Sequence, residues 1–199
     1  FRAIVLPMSL LLILIEACNR ITSGILIGLA PMVTIQELGW TQITYANWIA
    51  ITGVTAAVLG VLCSPWIDRV GALRILKWVV MFRIGLLGLT AALEPYWGIH
   101  QVFESFLMIN AVATQLVTVT LIALFMRLCS PRVAASQFAV YMALANMTYS
   151  LGSGLMVPLS HWTHQAGIML VCAALIALMW LLIHWVDFER HDQDLNKLS

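Results

Sequence analysis

The stretch Ile13–Ile27, Ile-Leu-Ile-Glu-Ala-Cys-Asn-Arg-Ile-Thr-Ser-Gly-Ile-Leu-Ile, lies in the middle of an apolar run from about Ala3 to Val33. Two readings compete: one helix with a polar stripe, or two apolar helices broken by a polar turn. The choice sets the side on which every later loop falls. Composition frames the question. The chain has 199 residues, 62% hydrophobic and 10% charged, with a net charge of +1. A soluble domain is about half apolar and about a quarter charged. A soluble globule this apolar would carry an aggregating surface. Composition therefore excludes a soluble enzyme, a nucleic-acid binder and a disordered chain, and leaves a polytopic protein of the lipid bilayer.

A spanning helix takes about 20 apolar residues, so the chain has room for about six. The apolar runs predict helices over about 3–33, 41–63, 75–93, 98–128, 134–159 and 165–186, with a polar tail at 187–199. Ser64-Pro65 is read as the end of the second helix, Glu94-Pro95 as the stop of the third and Ser130-Pro131-Arg132 as a turn. The loops then alternate in charge. Arg2, Arg69, Arg74, Lys77, Arg127, Arg132, Arg190 and Lys197 fall on one side, and the loops near Glu37, Glu94 and His161 carry no Lys or Arg. Positive loops mark the cytoplasmic face. Splitting the first stretch in two would invert this partition. One helix is therefore the reading that holds, with six helices and both ends cytoplasmic. Phe1 at the start, in place of Met, points to a segment of a longer protein.

The two remaining cations, Arg20 and Arg83, fall inside helices with the acids Glu16 and Glu104. An ionisable side chain at the bilayer centre costs about 2.5–3.5 kcal/mol on insertion scales, so each needs protein, water or a partner. Glu16 and Arg20 are spaced i,i+4 with the acid first, the favourable order, and Asn19 and Ser23 extend that face. The pair reads either as an internal brace or as a substrate and proton site. Glu104 offers Arg20 a partner across the bundle, or carries a proton itself. Arg83 reads as a cation snorkelling to the cytoplasm or as part of the transport machinery. Asn110, Thr114 and Thr118 form an i,i+4 stripe on the fourth helix, and Gln137, Tyr141, Thr148 and Gly152 fall near one face of the fifth. The first, fourth and fifth helices thus look toward a cavity. The second, small and glycine-bearing, reads as a close-packing helix, and the sixth, apolar all round, as a peripheral one. The four cysteines, Cys18, Cys63, Cys129 and Cys172, show no metal-ligand spacing. Neither HExxH nor GxSxG occurs, so the sequence calls for no cofactor, no metal and no catalytic residue.

The turn Asp68-Arg69-Val70-Gly71-Ala72-Leu73-Arg74 resembles the D-R-x-G-R-[KR] core of the loop between the second and third helices in each half of major facilitator transporters. Ser64 stands where the fuller motif has Gly, and Ala72 where a basic residue is usual. Such weakening is typical of the second-half copy. A closer resemblance is to the AmpG muropeptide permease-like family. It is carried by Glu16–Ile27, Gly39-Trp40, Arg74-Ile75-Leu76, Phe103-Glu104 and Leu128-Cys129-Ser130-Pro131. Ala135-Ser136-Gln137-Phe138-Ala139 adds the match to the family's A-T-Q-F-A, with Ser136 in place of Thr. A Gly-Arg pair usual later in that helix is absent, and Leu151-Gly152-Ser153 stands there.

The resemblance implies an all-α fold, half of a major facilitator transporter built from two inverted three-helix repeats and completed by an N-terminal half of the same permease. It implies proton symport of a small amphiphilic or anionic solute, of muropeptide or siderophore type, across the inner membrane by alternating access. Asn19, Arg20, Gln137 and Tyr141 are the expected solute contacts. Glu16 and Glu104 are the expected proton-coupling acids, and Asp68, Arg69, Gly71 and Arg74 the expected gating-loop motif. The other reading is a six-helix protein acting as a homodimer, or a transporter-like sensor that moves nothing.

Overall fold

The structure, a computed structural model, describes residues 7–129 and 134–186. The expected turn at Ser130-Pro131-Arg132, the tail at 187–199, and the cations Arg2, Arg132, Arg190 and Lys197 lie outside the described residues. Six α-helices follow one another: α1 (Pro7–Pro31), α2 (Gln42–Val70), α3 (Ala72–Ala92), α4 (His100–Leu128), α5 (Ala134–Trp162) and α6 (Gln165–Ile183). The stretch around Glu16 is one continuous helix. Beyond Pro31 the chain winds more widely through a π-helical Met32–Glu37, and Glu94–Tyr96 makes a short 3-10 turn before α4. Five of the helices are long and apolar enough to cross a membrane. The exception, α5, is as long as α2 but holds Gln137, Asn146, Thr148 and Ser150 among its apolar residues.

Two boundaries differ from the sequence expectation. Pro65 does not end α2, which continues to Val70. In lipid no water competes for the backbone groups that a proline frees, so neighbouring helices and side chains keep the helix intact. Asp68 and Arg69 therefore stand on the last turn of α2, exposed, and Arg74 on the first turn of α3. The connection between them shrinks to Gly71, at φ +97°. That conformation suits glycine because it has no Cβ to clash.

The pairing of helices is internally symmetric. α1 packs on α5 and α6, α4 on α2 and α3, and α3 on α6. Exchanging α1 with α4, α2 with α5 and α3 with α6 returns the same set of pairs. Two three-helix units of opposite direction, α1–α3 and α4–α6, are related in this way, the arrangement expected of one half of a transporter built from inverted repeats. Tightest is the crossing of α1 and α5. A Cβ on Gly24 would overlap the Tyr149 carbonyl oxygen, and one on Gly152 would overlap the backbone of Ile21. Small residues let membrane helices approach backbone to backbone in this manner. The buried strip Gln137, Tyr141, Ala145, Gly152 and Met156 recurs along α5 at multiples of a helical turn.

α6 is more enclosed than its uniform hydropathy suggested. Held between α1 and α3, it buries Ile168, Met169, Cys172, Ile176 and Met179 and exposes Leu170, Leu178 and Leu181 on its other face. The least buried helix is α2, with Thr52, Ala56, Gly60 and Ile67 alone turned inward. Tryptophans gather toward both ends of the bundle. Trp40, Trp48, Trp97 and Trp162 lie toward one end, and Trp66, Trp78, Trp180 and Trp185 toward the end that carries Gly71. This is the placement expected of amphipathic rings at two membrane interfaces. At the first of these ends, Trp40 Nε1 donates to His100 Nδ1 at 3.3 Å, and Gln165 bonds the carboxylate of Glu37.

Candidate functional site

Halfway along α1, Glu16, Asn19, Arg20 and Ser23 recur at three- and four-residue spacing, which places them on one helical face. Arg20 Nε donates to Glu16 Oε1 at 2.6 Å, and Asn19 Nδ2 donates to Glu16 Oε2 at 3.4 Å. Glu16 is 3% exposed, so its carboxylate is held in a largely dry setting. From α3, Arg83 Nη1 donates to Asn19 Oδ1 at 2.8 Å. One acid is thus flanked by two cations, Arg20 directly and Arg83 through the Asn19 amide. Since arginine stays protonated in proteins, the group of three carries one excess positive charge whenever Glu16 is ionised.

Arg83 does not snorkel. It is 0% exposed, and its Nε and Nη2 have no hydrogen-bond partner. Two facts explain the difference from the expectation. α3 starts at Ala72, which puts Arg83 eleven residues in, about 16 Å along the axis. α6 also packs along α3, and Asn19 of α1 reaches the guanidinium. A buried charge with unmet donors is costly, and Arg83 holds two such donors in the bundle interior.

Arg20 has a second surface. Its side chain, 23% exposed, reaches a cavity of about 400 Å³ bounded by α1, α2 and α4, with Tyr149 of α5 and Met169 of α6 at its edge. The α4 stripe Asn110, Thr114 and Thr118 lines it, as do Gln115 and, from α2, Tyr45 and Thr52. Three of the hydroxyls here are committed to their own helix: Ser23 donates to Asn19 O, Thr52 to Ile49 O and Thr118 to Thr114 O. Asn110 Oδ1 and Thr114 Oγ1 have no partner although both atoms are buried. The cavity therefore presents one guanidinium on one wall and two unmet polar groups on the opposite wall. Buried polar atoms are normally satisfied, and a bound polar solute would satisfy these.

The other expected residues lie elsewhere. Gln137 Nε2 donates to Tyr141 Oη at 2.6 Å, and Tyr141 Oη donates to Ser9 Oγ at 3.2 Å. With the Phe125 ring 4.9 Å from that of Tyr141, they form a buried cluster among α1, α4 and α5 and do not line the cavity. Tyr141 nevertheless meets Glu16 at a small void between the two groups. Glu104 is half-buried on the first turns of α4. Its neighbours Phe103, Phe106 and Leu107 line the cavity and it does not, and Arg20 is paired with Glu16 instead. Asp68, Arg69, Gly71 and Arg74 stand at the bundle end, far along the helices from Arg20. The α2 contribution of Tyr45 and Thr52 was missed because α2 was read as a packing helix. The signal available was its scatter of aromatic and hydroxyl residues among small ones.

The family model described as Major Facilitator Superfamily matches residues 12–198. No curated protein and no solved structure matches the chain. With the match covering nearly the whole chain, and with six helices paired as inverted three-helix units, the chain belongs to the major facilitator superfamily of membrane transporters.

Proposed function

We propose that this chain is the solute-binding half of a proton-coupled secondary transporter for a small anionic or amphiphilic solute, with Arg20 as the anion contact and Glu16 as the coupling acid. The reading rests on one observation: Arg20 faces the cavity while its Nε is held by the Glu16 carboxylate. The guanidinium cannot serve two anions equally. When Glu16 takes a proton, the ion pair is lost and Arg20 is released toward an anion in the cavity. When Glu16 loses the proton, the carboxylate reclaims Arg20 and the solute is let go. Solute and proton then travel together, which is symport. Asn110 and Thr114 orient the solute from the opposite wall. Asn19 keeps the carboxylate in place and links it to Arg83. Gln137 and Tyr141 support α1 from behind the carboxylate. The gating role falls to Asp68, Arg69, Gly71 and Arg74, at the cytoplasmic end of the bundle, and Glu104 is the second membrane acid to test. An N-terminal half of the same permease closes the cavity, and the inner membrane is its location.

The test is radiolabelled uptake by the full-length protein in vesicles with an imposed pH gradient. Glu16→Gln should abolish gradient-driven accumulation while leaving counterflow exchange of solute, and Arg20→Gln should abolish both. Coupling retained in both Glu16→Gln and Glu104→Gln would refute the assignment.

A further inference from the structure

The cavity beside Arg20 changes character along its length. Near the bundle centre its walls carry Arg20 and Ser23 on α1 and Asn110, Thr114 and Gln115 on α4. Toward the end that holds Trp40 and His100 they carry Ile27 on α1, Tyr45 and Ile49 on α2 and Phe106 on α4. Two contacts set the levels. Trp40, just before α2, bonds His100 at the start of α4, and the Gln115 side chain lies against Gly60. α2 and α4 therefore run side by side in the same direction, with Ile49 near the level of Phe106. Ile27 lies seven residues beyond Arg20, and Phe106 eight residues before Thr114. At 1.5 Å per residue the polar and apolar ends of the cavity are about 10–12 Å apart. Thr52, between the two ends, has its hydroxyl on the Ile49 carbonyl. Ile27 and Ile49 are exposed, so their side chains are open to a solute and not spent on packing. Among the described residues, Arg20 is the only charged side chain that lines the cavity. One guanidinium matches one negative charge, and a second anionic group would meet no cation on these walls.

We propose that the solute is a monocarboxylate with an apolar tail, bound with its carboxylate at Arg20 and its tail pointing toward the Trp40 end, between Ile27, Ile49 and Phe106. This solute class presupposes Arg20 as the anion contact and adds the nature and direction of the remainder. A short acid would satisfy Arg20 and leave the apolar walls in contact with water. A tail that covers them gains the free energy of removing both surfaces from water. Mostly apolar walls with a few placed polar groups orient a ligand in this way. An uncharged amphiphile would cover the walls and bring nothing to draw Arg20 from Glu16.

The experiment titrates the full-length transporter in lipid nanodiscs with 4-phenylbutyrate, butyrate or 4-phenylbutanol by isothermal calorimetry, with empty nanodiscs as the blank. 4-Phenylbutyrate should bind about 30-fold more tightly than butyrate, the gain from burying one phenyl group. It should bind about 10-fold more tightly than 4-phenylbutanol, which brings no charge to Arg20. The double variant Ile27→Ser/Ile49→Ser should cut the first ratio to about 3-fold and keep the second, and Arg20→Gln should do the reverse. Ile27→Thr/Ile49→Thr repeats the first arm if the serine pair lowers the melting temperature. Equal affinity for 4-phenylbutyrate and butyrate, or a ratio untouched by the isoleucine variants, overturns the proposal and leaves the Arg20 contact standing. Equal affinity for the acid and the alcohol removes the anion contact and the proposal with it. No binding of 4-phenylbutyrate overturns the proposal as well.

Discussion

The two three-helix repeats share a plan and bury different things. In the first, α1 carries Glu16, Asn19 and Arg20 and draws in Arg83 from α3, while its crossing with α5 brings Gly24 and Gly152 backbone to backbone. In the second, the corresponding helix α4 carries uncharged Asn110, Thr114 and Thr118. Its crossing with α2 is padded by the Gln115 side chain against Gly60. Charge is thus concentrated where the helices are most tightly fixed, and the cavity opens where they are least so. An ion pair keeps its geometry only if its supports do not yield. A cavity that must admit and release solute needs a wall that can. The tight crossing suits α1 as a fixed post and the padded one suits α2 as a movable panel.

The strongest way to break this contrast is to remove the charge on one side. Glu16→Leu leaves the buried Arg83 and the half-buried Arg20 without a carboxylate and should cost about 3 kcal/mol, read from equilibrium unfolding in detergent. Asn110→Leu in the other repeat removes an amide that has no partner, so the same measurement should show little loss or a small gain. If both cost the same, the charge asymmetry carries no structural weight. The glycines come next. Gly152→Ala presses a methyl against the Ile21 backbone and should cost about 1–3 kcal/mol, seen as a lowered melting temperature. Arg83→Met keeps the volume and deletes an under-satisfied charge. Its stability should move by less than about 1 kcal/mol, in either direction, whereas its gradient-driven uptake should fall sharply. A Met variant with full transport would demote Arg83 to a relic of packing. The smallest effect belongs to Gly60→Ala, whose methyl meets only the flexible Gln115 chain. We expect under about 0.5 kcal/mol, and a larger loss would show that the second crossing is as rigid as the first.

The fold was legible where its cause is one-dimensional. Loops with and without Lys or Arg sort by side because a charge does not cross the bilayer cheaply, and that sorting requires no tertiary information. The Glu16–Arg20 pair was legible for a related reason, since i,i+4 spacing is local. Arg83 was not, because its partner Asn19 is 64 positions away and its depth depends on where α3 begins. That start was placed about three residues late because Asp68–Arg74 was read as a turn, whereas Gly71 alone makes it. Gln137 and Tyr141 were correctly noticed as polar residues on one face. Their own i,i+4 hydrogen bond, which occupies them with each other, emerges only once rotamers are known. Tyr45 and Thr52 were hidden because a helix that lines a cavity on one side and meets lipid on the other shows little periodic contrast in hydropathy.

The single-residue joint at Gly71 has a mechanical consequence. α2 forms one wall of the cavity, while α3 holds the buried guanidinium of Arg83 and two of the cations at the bundle end. With only one residue between Val70 and Ala72 there is no slack to absorb a shift. A tilt of the cavity wall must then be taken up at Gly71 itself or passed on to α3. The cavity wall and the charge at the bundle centre are therefore one residue of connecting chain apart.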